Sequence, residues 1–145
     1  MRAQRTGTSS PALSATSVLV LEPNRRKATF MLIAYQVALE VVRELRPLVE
    51  QIRKHDNNLA KQLVDAASST VQNLAEGERH RGGNKRARFD IAHGEANEVK
   101  GSLDLALAWG YIDDDSAARV KLMRLLALCW GLTRGPHCNA KRSES

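Results

Sequence analysis

The sequence contains few cysteine, aromatic, proline and glycine residues. Among its 145 residues there are two cysteines and two each of Trp, Tyr and Phe. Cys129 and Cys138 cannot form a disulfide framework and match no metal-ligand spacing, so a cytoplasmic location is expected. Four prolines and nine glycines are also few. Because Ala, Leu, Arg and Glu are abundant, the composition favours helix over sheet.

Sequence motifs of membrane spans and of common enzymes are missing as well. Residues 13–21 contain several apolar side chains, but Ser and Thr interrupt them and the segment is too short to cross a bilayer. There is no P-loop, no GxGxxG and no recognisable Ser-His-Asp arrangement. We therefore expect a protein that is not an enzyme and does not associate with membranes.

Metal and cofactor sites are not expected either. A di-metal centre in a helical bundle requires Glu-x-x-His pairs, and the sequence most similar to that motif here is Asp-x-x-His, formed by Asp90 and His93. The acidic triplet at residues 113–115 points in three directions, and capping a helix explains it better. The adjacent pair His137 and Cys138 lacks partners at zinc spacing.

Positive charge is concentrated in two segments, although the formal net charge of the chain is +6. Residues 1–27 carry five basic residues and one acidic residue, and residues 79–88 carry five basic residues and no acidic one. The rest of the chain is therefore slightly acidic. The position of the positive charge says more about binding partners than the net charge does.

The chain is predicted to have a helical centre between two irregular ends. Residues 1–27 are rich in Ser, Thr, Pro and Arg and lack apolar periodicity, which predicts a disordered basic arm. A second interpretation stays open, because Met31 lies where the helical pattern starts and translation could begin there. Residues 136–145 are predicted to be a flexible tail. Residues 28–135 are predicted to form one all-α domain, an up-down-up-down antiparallel four-helix bundle.

The four helices are predicted from apolar residues that recur every three or four positions. The first covers about residues 28–54, and Pro47 should kink or split it near Leu45. The second covers about residues 58–79, the third about 85–109, and the fourth begins after the acidic triplet. We call the recurring apolar residues of each helix its stripe. In chain order the stripes are Ala34, Ala38, Val41, Leu45, Leu48 and Ile52; then Ala60, Val64, Ala67, Val71 and Leu74; then Phe89, Ala92, Ala96, Val99, Leu103 and Ala106; and finally Ala118, Leu122, Leu125, Cys129 and Leu132.

Several polar and small residues indicate how the helices begin and pack. Asp56 or Asn57 is a candidate N-cap for the second helix, and Asn84 for the third. Gly94 and Gly101 lie on another face of the third helix, where each costs about 1 kcal/mol relative to Ala. Such a cost is understandable if a backbone packs closely there, either within the bundle or across a subunit contact.

The junction between the second and third helices carries the densest positive charge. Five cations lie within ten residues there: Arg79, Arg81, Lys85, Arg86 and Arg88. With the following helix N-terminus they form a surface suited to anions. Phe89 is the one aromatic residue among them, so contact with phosphates or an acidic protein is favoured over base stacking. A merely solvated turn is the competing interpretation.

The motif Asn73-Leu74-Ala75-Glu76-Gly77 resembles a bacterial four-helix-bundle family first recognised in intervening sequences of 23S rRNA genes. The resemblance extends over about residues 32–134 and includes residues 34–38, 66–69, 101–103 and 108–111. The family is also similar to the accessory variability determinant of diversity-generating retroelements, a pentameric barrel whose basic surface engages a reverse transcriptase and its RNA. The resemblance implies a ring-like homo-oligomer, a pentamer, with no catalytic residues and no cofactor.

The resemblance also implies structural roles for Asn73, Ala75, Glu76 and Gly77, and polar contacts of Asn73 and Glu76 are expected to hold the helix junction. The resulting hypothesis is a non-enzymatic oligomeric scaffold whose basic turn binds RNA, DNA or a nucleic-acid enzyme such as a reverse transcriptase. The alternative is a structural or protein-interaction bundle without a nucleic-acid partner.

Overall fold

The computed structural model describes residues 23–134 and contains four α-helices within that range. They are α1 (Pro23–Arg53), α2 (Asn57–Arg79), α3 (Gly83–Ala108) and α4 (Ser116–Thr133). No strand occurs among the described residues. The arm predicted before residue 23 and the tail predicted at 136–145 lie outside this range.

The helices pack as an antiparallel bundle. Each helix contacts the next one along the chain, and α4 packs back against α1. Connections of three residues after α1 and after α2 force the chain to reverse direction each time. The prediction of an all-α four-helix bundle is confirmed.

The core follows the predicted stripes, with one correction on α2. Every stripe residue of α1 and α3 is buried. On α2 the prediction was wrong for Val64, which is 40% exposed, while Leu63 and Thr70 are fully buried. Ala60, Ala67 and Leu74 of the stripe are buried, so the core-facing side of α2 is wider than the stripe rather than displaced from it. Because α2 packs against both α1 and α3, its buried face also includes Leu63 and Thr70.

The first helix begins earlier than predicted and is not split. Residues 23–27 belong to α1 rather than to a disordered arm. Proline is tolerated in the first turn of a helix because the backbone N–H there has no intrahelical acceptor, and the Arg, Lys and Ala that follow are good helix formers. Pro47 lies inside α1 without ending it. Buried Leu45, Leu48 and Val49 hold the turns on both sides of it against the core.

The capping predictions hold for α2 and fail for α3. Asp56 is the N-cap of α2, and its Oδ1 accepts a hydrogen bond of 2.9 Å from the backbone N–H of Leu59. Asn84 is not a cap, because α3 already begins at Gly83. The N-cap there is Gly82, whose φ of +66° is a conformation that glycine adopts without strain. In the acidic triplet, the N-cap of α4 is Asp115, which makes no side-chain capping bond, while the carboxylate of Asp114 accepts from the backbone N–H and the hydroxyl of Ser116, both at 2.9 Å.

Candidate nucleic-acid interface

Two residues of the Asn73–Gly77 motif hold an arginine of the next helix. Arg88 on α3 donates from Nη1 to Oδ1 of Asn73 at 3.2 Å, and the same nitrogen lies 3.0 Å from Oε2 of Glu76. The Asn73 amide nitrogen in turn donates to the backbone carbonyl of Ser69 at 2.9 Å. Both ends of the Asn73 side chain are therefore occupied, and its orientation is fixed. The polar part of the motif ties α2 to α3 at their shared end.

The glycine of the motif makes room for an aromatic ring. A Cβ atom at Gly77 would lie 2.5 Å from Cε1 of Phe89, closer than real contacts allow. Phe89 is 2% exposed, so its ring has little space in which to move away. Ala75 is exposed and does not face this contact. Gly77 and Phe89 thus form the apolar half of the α2–α3 junction, beside the polar half centred on Arg88.

We expect Asn73→Ala to lower the free energy of unfolding by about 1–2 kcal/mol, and Glu76→Ala to lower it by less than about 1 kcal/mol. Asn73 is buried, and losing its side chain removes the hydrogen bonds to Arg88 and to the Ser69 carbonyl. The Glu76–Arg88 pair is about half exposed on both sides, where ion pairs contribute little. Urea unfolding of the two variants, with exposed Gln72→Ala as the control, measures the difference. Equal stability of Asn73→Ala and wild type would show that the junction does not depend on this contact.

The structure divides the five cations of the turn into three groups. Arg79, Arg81 and Arg86 are exposed, and no carboxylate of the described residues pairs with them. Lys85 is partly covered, with its Nζ 5.9 Å from the centre of the Phe89 ring. Arg88 is engaged with the motif. The open cationic surface therefore consists of three arginines with Lys85 at its edge, and the first role of Arg88 is to position the two helices.

The N-terminus of α3 adds backbone donors to this surface. Its N-cap, Gly82, offers no side-chain acceptor to the first-turn N–H groups. Such uncapped amides lie at the positive end of the helix dipole and bind anions readily. Arg81 and Arg86 flank them along the chain. This end of the bundle can bind a phosphate through guanidinium groups and backbone amides together.

The opposite end of the bundle carries charges that are satisfied internally. Arg119 on α4 bridges Asp104 at 2.7 Å and Asp115 at 2.6 Å. A hydrogen bond from Lys100 and the charge of Arg119 hold the pKa of Asp104 below its usual value. Because Arg119 and Lys100 are neutralised by carboxylates, they add no open positive surface at this end.

The residues weighed for metal binding do not form a site in the part of the chain that the structure describes. No group of three or more His, Cys, Asp or Glu side chains converges there. His93 instead lies against Trp130, with the ring centres 5.7 Å apart. Cys129 is buried in the core as predicted, and burial raises its pKa to about 12. His137 and Cys138 lie outside the described residues.

An open groove of about 640 Å³ runs between α1 and α2, along the bundle from the basic turn. Val42, Pro47 and Val64 contribute apolar walls. The one carboxylate among its lining residues is Glu50, which is paired with Arg53 at 2.8 Å. The groove therefore lacks a free acid–base pair of the kind that general catalysis requires.

Together these features define a four-helix-bundle protein whose α2–α3 hairpin is locked by a short motif and ends in a cationic turn. The chain belongs to the 23S rRNA-intervening sequence protein family, whose sequence pattern matches residues 31–124. The resemblance inferred from the Asn73–Gly77 motif is thereby confirmed. No curated protein matches the chain.

A solved structure shares the fold. It is a protein of unknown function from the S23 ribosomal protein family of Bacteroides thetaiotaomicron, with a TM-score of 0.63 and 19% sequence identity. The similarity covers 70% of this chain and 99% of that one. At this identity the comparison supports the fold alone. None of the described helices of this chain is long and apolar enough to cross a membrane.

Proposed function

We propose that this protein is a non-enzymatic scaffold whose α2–α3 turn binds the phosphates of RNA or DNA. The observation that carries the proposal is the exposed group of Arg79, Arg81 and Arg86 beside the uncapped N-terminus of α3. Arginine binds phosphate oxygens through two donors at once, and backbone amides add further bonds. The family name, which refers to 23S rRNA, points to the same class of partner.

The scaffold is proposed to be a ring-like homo-oligomer, a pentamer in line with the family resemblance. Gly94 and Gly101 support this assembly, because both are exposed and nothing lies within 4 Å of the position a Cβ would take. Close packing within the bundle therefore does not explain them. Val120 and Met123 on α4 are at least half exposed. Repetition of a weak cationic turn around a ring would raise the overall affinity through multivalency.

The test is RNA binding by the full-length protein across a salt series, with the mass measured by light scattering. For wild type we expect log K to fall linearly with log salt, because binding releases counterions from the phosphates. Replacing Arg79, Arg81 and Arg86 by Ala should lower the slope by about 2 for each protomer in contact, and should weaken binding at least tenfold at low salt. The oligomeric mass should not change, since the three side chains are exposed.

A matched control removes three charges elsewhere. Arg43, Arg46 and Lys54 are exposed on α1 and on the connection at the opposite end of the bundle. Their triple Ala variant has the same net charge as the turn variant and should bind like wild type. If both variants weaken equally, binding reflects net charge and the turn is not the site. If the intact wild-type oligomer binds no RNA or DNA, the proposal is wrong.

The alternative function is a structural or protein-interaction bundle without a nucleic-acid partner. It is favoured by the exposed apolar residues of α3 and α4, among them Leu105, Val120 and Met123. An oligomer that assembles normally and binds no nucleic acid, but binds a purified acidic protein through the same arginines, would support it. A cytoplasmic location remains a prediction under both functions.

A further inference from the structure

The first helix extends beyond the end of the bundle. Its first buried side chain is Met31, and residues 25–30 are all exposed. Helices α1 and α4 run antiparallel, and Lys121 on α4 pairs with Glu44 on α1. Counting from that pair in opposite directions places Thr133, the end of α4, level with about residue 32. The first eight residues of α1 therefore project past the bundle by about 12 Å. We call residues 23–30 the overhang.

The overhang stands at the same end of the bundle as the basic turn. Helix α2 reverses the direction of α1 after a connection of three residues and ends at Arg79, so its last turn reaches the level of about residue 31, where the overhang begins. The turn and the beginning of α3 follow at once. Two basic segments that are far apart in the sequence, residues 25–27 and 79–86, are thereby brought to one end of the fold.

The inner face of the overhang carries a cation and an aromatic ring. Lys27 precedes Met31 by four residues and Ala34 by seven, and both of these are buried, so Lys27 shares their face of the helix. Phe30 precedes Ala34 by four residues and is 51% exposed. Since the bundle ends at the level of Met31, both side chains extend over the end of the bundle rather than into its core. Arg25 is exposed on the outer side.

The exposed ring changes which nucleic acid this end of the bundle suits. In the sequence, Phe89 is the one ring among the turn's cations, and the structure buries it. Phe30 takes its place as an accessible aromatic face next to cations. Duplex nucleic acid presents phosphates but keeps its bases stacked, whereas a single strand offers both phosphates and free base faces. Cations beside an exposed aromatic ring are the arrangement that binds single strands.

From this arrangement we infer that the overhang is the second wall of the nucleic-acid site and selects single-stranded nucleic acid. This inference rests on the function proposed for the α2–α3 turn. The strand passes between the turn and the overhang, with its phosphates on Lys27 and the arginines of the turn. One base stacks on Phe30.

The experiment measures the binding of the full-length protein to a labelled RNA single strand and to a duplex of the same sequence, over a salt series. Lys27→Ala should reduce the steepness of log K against log salt for the single strand by about 0.7, because one phosphate contact is lost. Phe30→Leu keeps an apolar side chain but removes the aromatic face. It should weaken single-strand binding about tenfold at every salt concentration, leave the slope unchanged and leave duplex binding unchanged.

Two controls separate the possible failures. Arg43→Ala removes one charge from the same helix away from this end, and it should bind like wild type. If the overhang variants also bind like wild type while the variant of the three turn arginines does not, the overhang inference is overturned and the proposed function stands. Equal losses of single-strand and duplex binding in Phe30→Leu would overturn strand selection. If the wild-type protein binds neither the single strand nor the duplex, the proposed function and the inference fail together.

Discussion

Replacing Gly77 by Val is expected to lower the free energy of unfolding by about 3 kcal/mol or more, and replacing it by Ala by about 1–3 kcal/mol. In an exposed helix interior, a change from Gly to Ala would stabilise the protein by up to about 1 kcal/mol. The sign is reversed here because the new Cβ would lie 2.5 Å from the Phe89 ring, which is enclosed by the core. Valine adds two further methyl groups to the same contact. Urea unfolding monitored by circular dichroism measures both variants.

The Gly77 effect has internal controls. In a Phe89→Leu background the ring atoms that meet the new Cβ are absent, so Gly77→Ala should cost at least 1 kcal/mol less there, as a double-mutant cycle would measure. Gly131→Ala, at an exposed helical position with open space around it, should leave stability equal or higher. A Gly77→Ala protein as stable as wild type would mean that the junction can open to admit a methyl group.

In a Cys138→Ser variant, Cys129 is expected to react with a thiol reagent at least a thousandfold more slowly in the folded protein than in urea. Burial raises the pKa of the thiol from 9.0 to about 12, which lowers the reactive thiolate at neutral pH about a thousandfold. The side chain is also closed to solvent, so reaction requires opening of the bundle. The thiol reagent is one that releases a chromophore when it reacts, and stopped-flow absorbance of that chromophore measures the reaction rate.

The unfolded variant supplies the intrinsic rate for the comparison. The folded-state rate should rise with urea in proportion to the fraction of opened molecules, because opening limits access. Reaction in native buffer within a factor of ten of the unfolded rate would contradict the burial of Cys129. It would also show that α4 opens much more readily than the bundle unfolds.

The sequence predicts the helices well because their pattern depends on local spacing. The stripes on α1 and α3 are recovered in full, since each contains large apolar residues separated by clearly polar ones. On α2, Ala, Ser and Thr alternate over several turns and do not mark the limits of the buried face. Contacts with both adjacent helices set those limits, as the exposure of Val64 and the burial of Leu63 show. The start of α1 was missed because the Ser- and Pro-rich segment before it ends in a proline that also suits a first helical turn.

The partners of the motif could not be predicted from periodicity. Asn73 and Arg88 are fifteen residues apart, and their contact depends on the register of the α2–α3 hairpin. Before that register is known, Arg88 is one basic residue among five in a charged turn. The sequence signal for these contacts is the order of the residues, because an Arg-Phe pair follows Asn-x-Ala-Glu-Gly one hairpin later. Arg88 contacts the polar residues of the motif, and Phe89 packs against its glycine.

The antiparallel order of the helices also determines where a tag, dye or surface linkage can be placed. Helix α1 begins and α4 ends at the end of the bundle that carries the basic turn, so a purification tag, fluorophore or fusion partner at either end of the chain is connected to the bundle at that end. A charged module connected there would add its own charge to the salt dependence of binding. The connections at residues 54–56 and 109–115 lie at the opposite end. A dye or a surface linkage placed in one of them leaves the cationic end open to solution, which makes these loops the sites for single-molecule or biosensor measurements on this protein.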